Sequence, residues 1–242
     1  KSFSIVLFLI LLLEQENEVI LFTRYTLTSA HISIIPEFLN MIDLLGWGDK
    51  FHVTKNEVIN KGTGSRILFR GIKTSSGTQT ANLKSISGVT CWVLDEAEEL
   101  VDEKVFSKID LSIRTKNKQN RVILIMNPTT RNHFIYKKWF EGAPLDSTVY
   151  IHTTYKDNKK NLSESLVQEI EKIQESDPKR YQNEILGGWI LKAEGLMYSD
   201  FKTWESLPQF KIIKSYTDTA DEGKDYLCSI VYGVPVNNEN EN

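Results

Sequence analysis

The sequence has little cysteine and no excess of basic residues. Only two cysteines, Cys91 and Cys228, occur among the 242 residues, and both lie within apolar stretches. This usage predicts buried thiols in a protein of a reducing compartment, not a disulfide scaffold. The formal net charge is −3, so no overall basic character indicates a nucleic-acid partner. Any contact with DNA must therefore be local.

The sequence also lacks an apolar run long enough to cross a bilayer. Residues 3–13 are almost entirely apolar, but a membrane-spanning helix needs ~20 residues. Lys1 before this run is compatible with a signal peptide, yet the EQEN that follows contains no small-residue cleavage site. Because the chain lacks an initiator Met, we expect that Lys1 is not the first residue of the gene product. Residues 3–13 are either a membrane anchor or a buried helix.

Short runs of branched and aromatic residues alternate with helical stretches. This alternation is typical of an α/β fold with parallel strands joined by crossover helices. Strands are predicted at residues 19–24, 65–71, 90–96, 121–127 and 149–155. A helix is predicted over residues 34–46, and a basic β-hairpin with a Gly-rich turn at 61–64 follows it. A small helical region comes after residue 155, and two further strands flank a polar loop after Lys211.

The sharpest chemical signal is CWVLDEAEEL, an apolar strand that ends in Asp95 and Glu96. The carboxyl ends of parallel strands are where α/β sheets place their ligands. In an NTPase, the first acid of such a pair holds Mg²⁺ and the second polarises the attacking water. Acids also commonly begin the helix that follows a strand, because they interact favourably with its dipole.

A phosphate-binding loop would complete this site, but no G-x-x-x-x-G-K-[ST] occurs in the chain. The chain does begin with Lys1 and Ser2, directly before the apolar run. If a glycine-rich turn precedes them, Lys1 would reach the β- and γ-phosphates, Ser2 would bind Mg²⁺, and residues 3–13 would form the helix that follows. The segment MNPTT at residues 126–130 ends the next strand and is suited to sensing the γ-phosphate, although it also fits a simple Asn-Pro turn.

Taken together, these segments resemble the large subunit of tailed-phage DNA-packaging terminases, most closely the prophage-type branch. The matching segments run in collinear order along the whole chain: KS at the start, FTRYTLTSAH, ILFRGIK, NLKSISGVT, CWVLDEAEEL, IMNPTT, DPKRYQNEILGGW and YTDTADEGKDYLCSIVYG. The resemblance implies a RecA-like P-loop ATPase domain at residues 1–148. It also implies the end of that domain with a small helical linker subdomain at 149–210, and the start of an RNase H-like nuclease domain at 211–242.

The resemblance assigns roles to particular positions. It implies that Asp95 binds Mg²⁺ and that Glu96 is the catalytic glutamate. Arg24 and Arg70 are alternative candidates to stabilise charge on the transferring phosphate, within one subunit or across a ring. The implied nucleotide-binding residues are Lys1, Ser2, Asn127, Thr129 and Thr130, of which Ser2 also binds the metal.

In the nuclease part, Asp218 matches the position of the first metal ligand at the end of a central strand. Such sites gather several carboxylates around two Mg²⁺ or Mn²⁺ ions. Asp221 and Asp225 are nearby, but acids in a polar turn are commonly only solvated. We expect the remaining ligands beyond Asn242.

The resemblance implies a viral or prophage protein of the host cytoplasm that uses ATP to drive double-stranded DNA into capsids and cuts concatemers. Its implied partners are the portal protein, the small terminase subunit and further copies of itself in a ring, with no membrane. We expect the 242-residue chain alone to hydrolyse ATP poorly and not to cut DNA. Another P-loop DNA motor, such as a helicase, and a membrane-anchored module without enzymatic activity are the alternatives.

Overall fold

The computed structural model describes residues 2–74, 77–78, 80–142, 146–190, 209–218 and 228–235. The chain divides into two compact units, Lys1–Glu194 and Gly195–Asn242. The predicted domain boundaries at residues 148 and 210 stay predictions.

The first unit is built on a six-stranded sheet with the strand order β2-β3-β4-β1-β7-β8. Strands β4, β1, β7 and β8 are parallel to one another, whereas β3 is antiparallel to β4 and β2 is antiparallel to β3. A separate short hairpin pairs β5 with β6. The strands are β1 (Val19–Arg24), β2 (Phe51–Val53), β3 (Glu57–Asn60), β4 (Arg66–Gly71), β5 (Lys73–Thr74), β6 (Gly77–Thr78), β7 (Cys91–Asp95) and β8 (Arg121–Ile125).

Helices cover the sheet and continue beyond it. The α-helices are α1 (Ser2–Leu12), α2 (Leu27–Ile32), α3 (Ile34–Leu44), α4 (Thr80–Lys84), α5 (Glu103–Asp110), α6 (Phe134–Trp139), α7 (Glu164–Ser176) and α8 (Pro178–Arg180). Short 3-10 helices lie at Gly48–Lys50, Ala97–Glu99 and Tyr155–Asn161, and a π-helix at Tyr181–Ile185 directly follows α8.

The central strands are buried on both faces, because successive side chains point to opposite sides of the sheet. Ile20 and Phe22 of β1 pack with α1 and α3 on one face. Leu21, between them, packs with α5 and α6 on the other face. Helix α1 contributes Val6 and Leu9, both fully buried, to the first face. Its apolar run is thus largely explained by packing against the sheet.

Helix α1 ends at the amino edge of the parallel strands. The Leu13 carbonyl oxygen accepts hydrogen bonds from Thr63 Oγ1 (2.7 Å) and Asn60 Nδ2 (3.1 Å), and Ser65 Oγ donates to the Gln15 carbonyl oxygen. Asn60 ends β3, Thr63 and Ser65 lie in the turn just before β4, and β1 begins shortly after α1. Since α1 packs along the sheet, its first residue, Ser2, lies toward the carboxyl edge.

Gly71 allows α2 to approach the end of β4. A Cβ atom at this position would lie 2.6 Å from the Leu27 backbone nitrogen, which is much closer than real Cβ contacts. Only glycine therefore fits here without moving backbone. The close approach places the start of α2 beside the carboxyl ends of β1 and β4.

Most predicted elements are confirmed, with ends that differ by one or two residues. These are the helix in residues 3–13, the helix in residues 34–46, the four strands at 19–24, 65–71, 90–96 and 121–127, and the hairpin with its turn at 61–64. The predicted burial of Cys91 is also confirmed, and burial raises the pKa of its thiol to about 12. No helix among the described residues is long and apolar enough to cross a membrane.

The strand predicted at residues 149–155 is wrong. Val149 and Ile151 are highly exposed, and no strand is found between residues 146 and 190. The segment instead leads into the 3-10 helix at Tyr155–Asn161, because Thr154 and Asp157 form a reciprocal capping box that starts a helical turn. Branched residues favour a strand only when a neighbouring strand can pair with them.

In the second unit, β9 (Phe210–Asp218) pairs with β10 (Cys228–Pro235) in an antiparallel sheet. The two predicted strands are therefore confirmed. Asp218 is the last residue of β9 and pairs with Cys228. Asp221 and Asp225 lie outside the described residues.

Candidate active site at the carboxyl edge of the sheet

The predicted acid pair lies at the carboxyl ends of two adjacent parallel strands. Thr23 of β1 is in register with Leu94 of β7, so the next residues, Arg24 and Asp95, face each other where the strands end. Below them, Trp92 Nε1 donates to Thr23 Oγ1 (2.8 Å). This buried hydrogen bond fixes the two strands directly beneath the site.

Arg24 bridges both acids. Its Nε donates to Asp95 Oδ2 at 2.9 Å, and its Nη2 forms an ion pair with Glu96 Oε1. The side chains of Arg24 and Asp95 are only 13% and 14% exposed, whereas that of Glu96 is 37% exposed. Charged groups with little exposure need such partners, because water no longer solvates them. The structure thus brings together three of the predicted site residues.

The remaining donors of Arg24 bind the segment that follows β1. Its Nη1 donates to the Ser29 carbonyl oxygen (3.2 Å) and to Ser33 Oγ (2.7 Å). The planar guanidinium therefore makes four contacts at once, which a lysine could not reproduce. Helix α2 and the acid pair are held in one arrangement by this side chain.

Glu96 has an unusual backbone conformation, with φ of 51° in the left-handed region. For a non-glycine residue this conformation costs about 1 kcal/mol or more and is frequent at functional sites. It turns the chain sharply out of β7 into the 3-10 helix at Ala97–Glu99. Loss of solvation raises the pKa of the Glu96 carboxyl, and nearby Glu99 and Asp95 raise it further, whereas Arg24 opposes this shift.

The predicted γ-phosphate sensor lies at the end of the neighbouring strand β8. The Asn127 backbone N–H donates to Glu98 Oε1 at 3.2 Å, which connects this segment to the turn after the acid pair. Thr129 and Thr130 are joined to Ile190 by a parallel bridge, in which the Ile190 N–H donates to the Thr129 carbonyl oxygen at 2.8 Å. Sequence reasoning did not identify Glu98, although it is the third acid of the DEAEEL segment.

The other predicted residues are not brought to the acid pair by any contact among the described residues. Arg70 Nη1 donates to the carbonyl oxygens of Phe69 (2.8 Å) and Asn56 (3.3 Å), so its guanidinium faces the β-hairpin. Ser2 begins α1 and is exposed, whereas Lys1 lies outside the described residues. The roles of all these residues stay predictions.

The carboxylates at this edge suit a hard metal ion that takes most of its ligands from phosphates and water. Mg²⁺ in nucleotide sites is commonly held by one or two carboxylates together with phosphates and water. Asp95 supplies a carboxylate at the strand end where such an ion would bind. Within the described ranges, no group of three or more His, Cys, Asp or Glu side chains could hold a metal ion by itself. The chemistry of the Asp95 carboxylate therefore fits a hard cation such as Mg²⁺.

Sequence comparison identifies relatives. The large terminase subunit of Bacillus phage SPP1 is 26% identical over 199 residues, which cover 77% of this chain and 46% of that protein. The chain thus spans about half the length of this curated relative.

Structural comparison supports the fold. The large terminase of a thermophilic bacteriophage superposes with a TM-score of 0.63 at 19% identity, covering 96% of this chain and 59% of that one. The large terminase ATPase domain of Thermus phage P74-26 gives a TM-score of 0.51 at 12% identity, with 73% and 78% coverage. The α/β fold with a mainly parallel, RecA-like sheet is therefore confirmed. The model of the family described as phage terminase large subunit matches residues 1–188, and the chain belongs to that family.

Proposed function

We propose that this chain is the ATP-hydrolysing core of a viral DNA-packaging motor. One observation carries the proposal: Arg24, Asp95 and Glu96 meet at the carboxyl ends of two adjacent parallel strands. Family membership supports the same reading. The intact protein would use ATP to move double-stranded DNA into an empty capsid. Contacts mainly with phosphates suit such a motor, because phosphates carry no sequence information.

In this proposal, each acid has a separate task. Asp95 would hold Mg²⁺, which neutralises charge on the phosphates when it is bound. Glu96 would orient a water molecule and accept its proton as the water oxygen attacks the γ-phosphorus; the bond to the bridging oxygen then breaks and ADP leaves. A carboxylate with a raised pKa is a better proton acceptor at neutral pH than an ordinary one. Ser2, Asn127, Thr129 and Thr130 would contact the nucleotide, together with Lys1.

The hand of the crossovers supports one position for the strand that would lead into α1. Helix α3 lies in the connection from β1 to β4, on the same face of the sheet as α1. Helix α5 lies in the connection from β7 to β8, on the opposite face. Parallel crossovers are almost always right-handed. A parallel strand entering α1 would therefore lie on the β8 side of β1. The outer edge of β8, which is free of other strands among the described residues, offers a position for it. Its loop into α1 would then reach the carboxyl edge beside Asp95 and Asn127.

Amide exchange tests this position. The Arg121 N–H donates to the Thr90 carbonyl oxygen beside β7, so by alternation the amides of Val122 and Leu124 face the free edge. In the intact protein, with the residues that precede Lys1 in its gene, we expect these two amides to exchange at least about tenfold more slowly than in the 242-residue chain. NMR or mass spectrometry would measure the difference.

The opposite edge of the sheet offers a matched control. Val53 of β2 is 40% exposed and Val122 is 37% exposed, and both lie on edge strands. Proline removes the N–H and blocks pairing on that side. We expect Val122→Pro to abolish nucleotide binding by the intact protein and Val53→Pro to leave it unchanged. Equal effects of the two substitutions, or unprotected amides in β8, would place the preceding strand elsewhere.

We further propose that the second unit begins a metal-dependent nuclease that cuts concatemers, with Asp218 at the end of β9 as one ligand of Mg²⁺ or Mn²⁺. The motor would act with the portal protein, the small terminase subunit and other copies of itself in a ring, within the host cytoplasm. In the intact protein, Asp218→Ala should abolish DNA cutting and leave ATP hydrolysis within about twofold, because the two sites use separate residues. Plasmid cleavage and phosphate release would be measured on the same preparation.

The same substitution separates the alternatives. A helicase with no second metal site would lose nothing when Asp218 is replaced. If both activities disappear together, Asp218 has a structural role and the nuclease assignment fails. Asp221→Ala is the control, since acids in a polar turn are commonly only solvated.

A further inference from the structure

Asn183 joins two parts of the first unit that are distant in sequence. Its side-chain Nδ2 donates to the Pro128 carbonyl oxygen (3.1 Å), directly after β8, and to the Gly188 carbonyl oxygen (2.6 Å). Asn183 itself lies in the π-helix at Tyr181–Ile185, which continues α8. One amide group thus satisfies carbonyl groups on both sides of a junction.

The chain around this amide is shaped to reach it. Gly187 has φ of +65°, and a Cβ atom there would lie 3.1 Å from His152 Nε2. A Cβ atom on Gly188 would lie 2.7 Å from the Gln182 carbonyl oxygen, which accepts the Gly188 N–H. Both positions therefore require glycine. The tight turn brings the chain back so that Ile190 can pair with the segment after β8.

The junction is continuous with the acid pair. The Ile190 N–H donates to the Thr129 carbonyl oxygen (2.8 Å), and the Arg131 N–H donates to the Ile190 carbonyl oxygen (3.0 Å). On the other side of the same segment, the Asn127 N–H donates to Glu98, two residues after Glu96. A movement of the turn after β7 would therefore displace residues 127–131, and these would displace residues 183–190.

We propose that Asn183 is a positioning residue that fastens the helical segment 164–190 to the end of β8, so that this segment follows the nucleotide state of the acid pair. The inference rests on the proposed function, because it needs a nucleotide at Asp95 and Glu96. Coupling between sites requires a contiguous set of contacts and an element with two arrangements. The contacts run from Glu98 through Asn127 and Pro128 to Asn183, and α7 is the element whose position would change.

Asn183→Asp in the intact protein tests the proposal. Aspartate has the same shape but no N–H, and its carboxylate would face two carbonyl oxygens. We expect kcat for ATP to fall about tenfold while KM stays within about twofold, since charged groups left unpaired are costly at such junctions. We also expect the nucleotide-dependent change in amide exchange of residues 164–190 to disappear, measured with a non-hydrolysable ATP analogue.

Asn161→Asp is the matched control, because, within the part of the chain that the structure describes, the Asn161 amide donates only to exposed Asn158 in the same helical region. Asn183→Ala removes the donors without adding charge. It should cause the same loss of the nucleotide-dependent change in amide exchange, so that one folded variant of the two is enough for the test. The inference would be overturned if both Asn183 variants showed a normal nucleotide-dependent change in amide exchange. It would also be overturned if Asn161→Asp had the same effects as Asn183→Asp. The unmodified intact protein is assayed in parallel: if it does not hydrolyse ATP, the proposed function fails whatever Asn183 does.

Discussion

Glu96→Gln in the intact protein is expected to bind ATP normally and to lose turnover by about 100-fold or more, the usual contribution of a positioned general base. Glutamine has nearly the same shape, keeps an oxygen for the contact with Arg24 and carries the same backbone strain at φ of 51°. It cannot accept a proton from water. The loss should therefore appear in kcat, with the dissociation constant for ATP changed by less than about threefold.

The control for this substitution lies in the same turn. Glu99 is exposed and is one of the charges that raise the pKa of Glu96, but among the described residues it forms no ion pair with Arg24. Glu99→Gln should leave turnover within about twofold of the unmodified protein. Phosphate release and equilibrium binding of a fluorescent nucleotide would distinguish the two variants. Retained hydrolysis in Glu96→Gln would remove this residue from its proposed role.

The central sheet and its acid pair were predictable because both depend on short-range patterns. Residues 91–94 are apolar and buried on both faces, so a strand can be predicted from this composition without knowing its neighbours in the sheet. Asp95 and Glu96 follow directly from where that strand ends. The helix at residues 2–12 was ambiguous from sequence, since a uniformly apolar run is also compatible with a membrane anchor, and its packing against the sheet gives a sufficient reason for its composition.

Features that depend on long-range pairing could not be predicted. The segment at residues 149–155 has the composition of a strand but makes none, because β-propensity is realised only through a pairing partner. The link from Asn183 to Pro128 spans 55 positions in the sequence, and no local pattern indicates it. Likewise, the family resemblance implied a phosphate as a partner of Arg24 or Arg70. The contacts of Arg24 with both acids arise from the adjacent placement of β1 and β7.

Those contacts make Arg24 the residue whose replacement should most alter the pH dependence of turnover. Arg24 is the neighbour that lowers the pKa of Glu96, against burial and two acids that raise it. Without Arg24, the pKa of Glu96 must rise further. The ionised form that accepts a proton then predominates only at higher pH. As the pH is lowered, the variant should therefore lose activity at a higher pH than the unmodified protein does. For Arg24→Gln we expect turnover to fall about tenfold or more at neutral pH and to recover partly as the pH is raised.

Arg24→Lys separates the charge from the geometry. Lysine keeps one positive charge beside the acids but cannot bind both of them together with Ser29 and Ser33. We expect the acid limb of its pH profile to lie near that of the unmodified protein, while kcat stays reduced because α2 is no longer fixed to the acid pair. Profiles of kcat against pH for the three proteins would test this. If Arg24→Gln shows an unshifted acid limb, Arg24 does not control the ionisation of Glu96, and its role is confined to holding α2 against the end of β1.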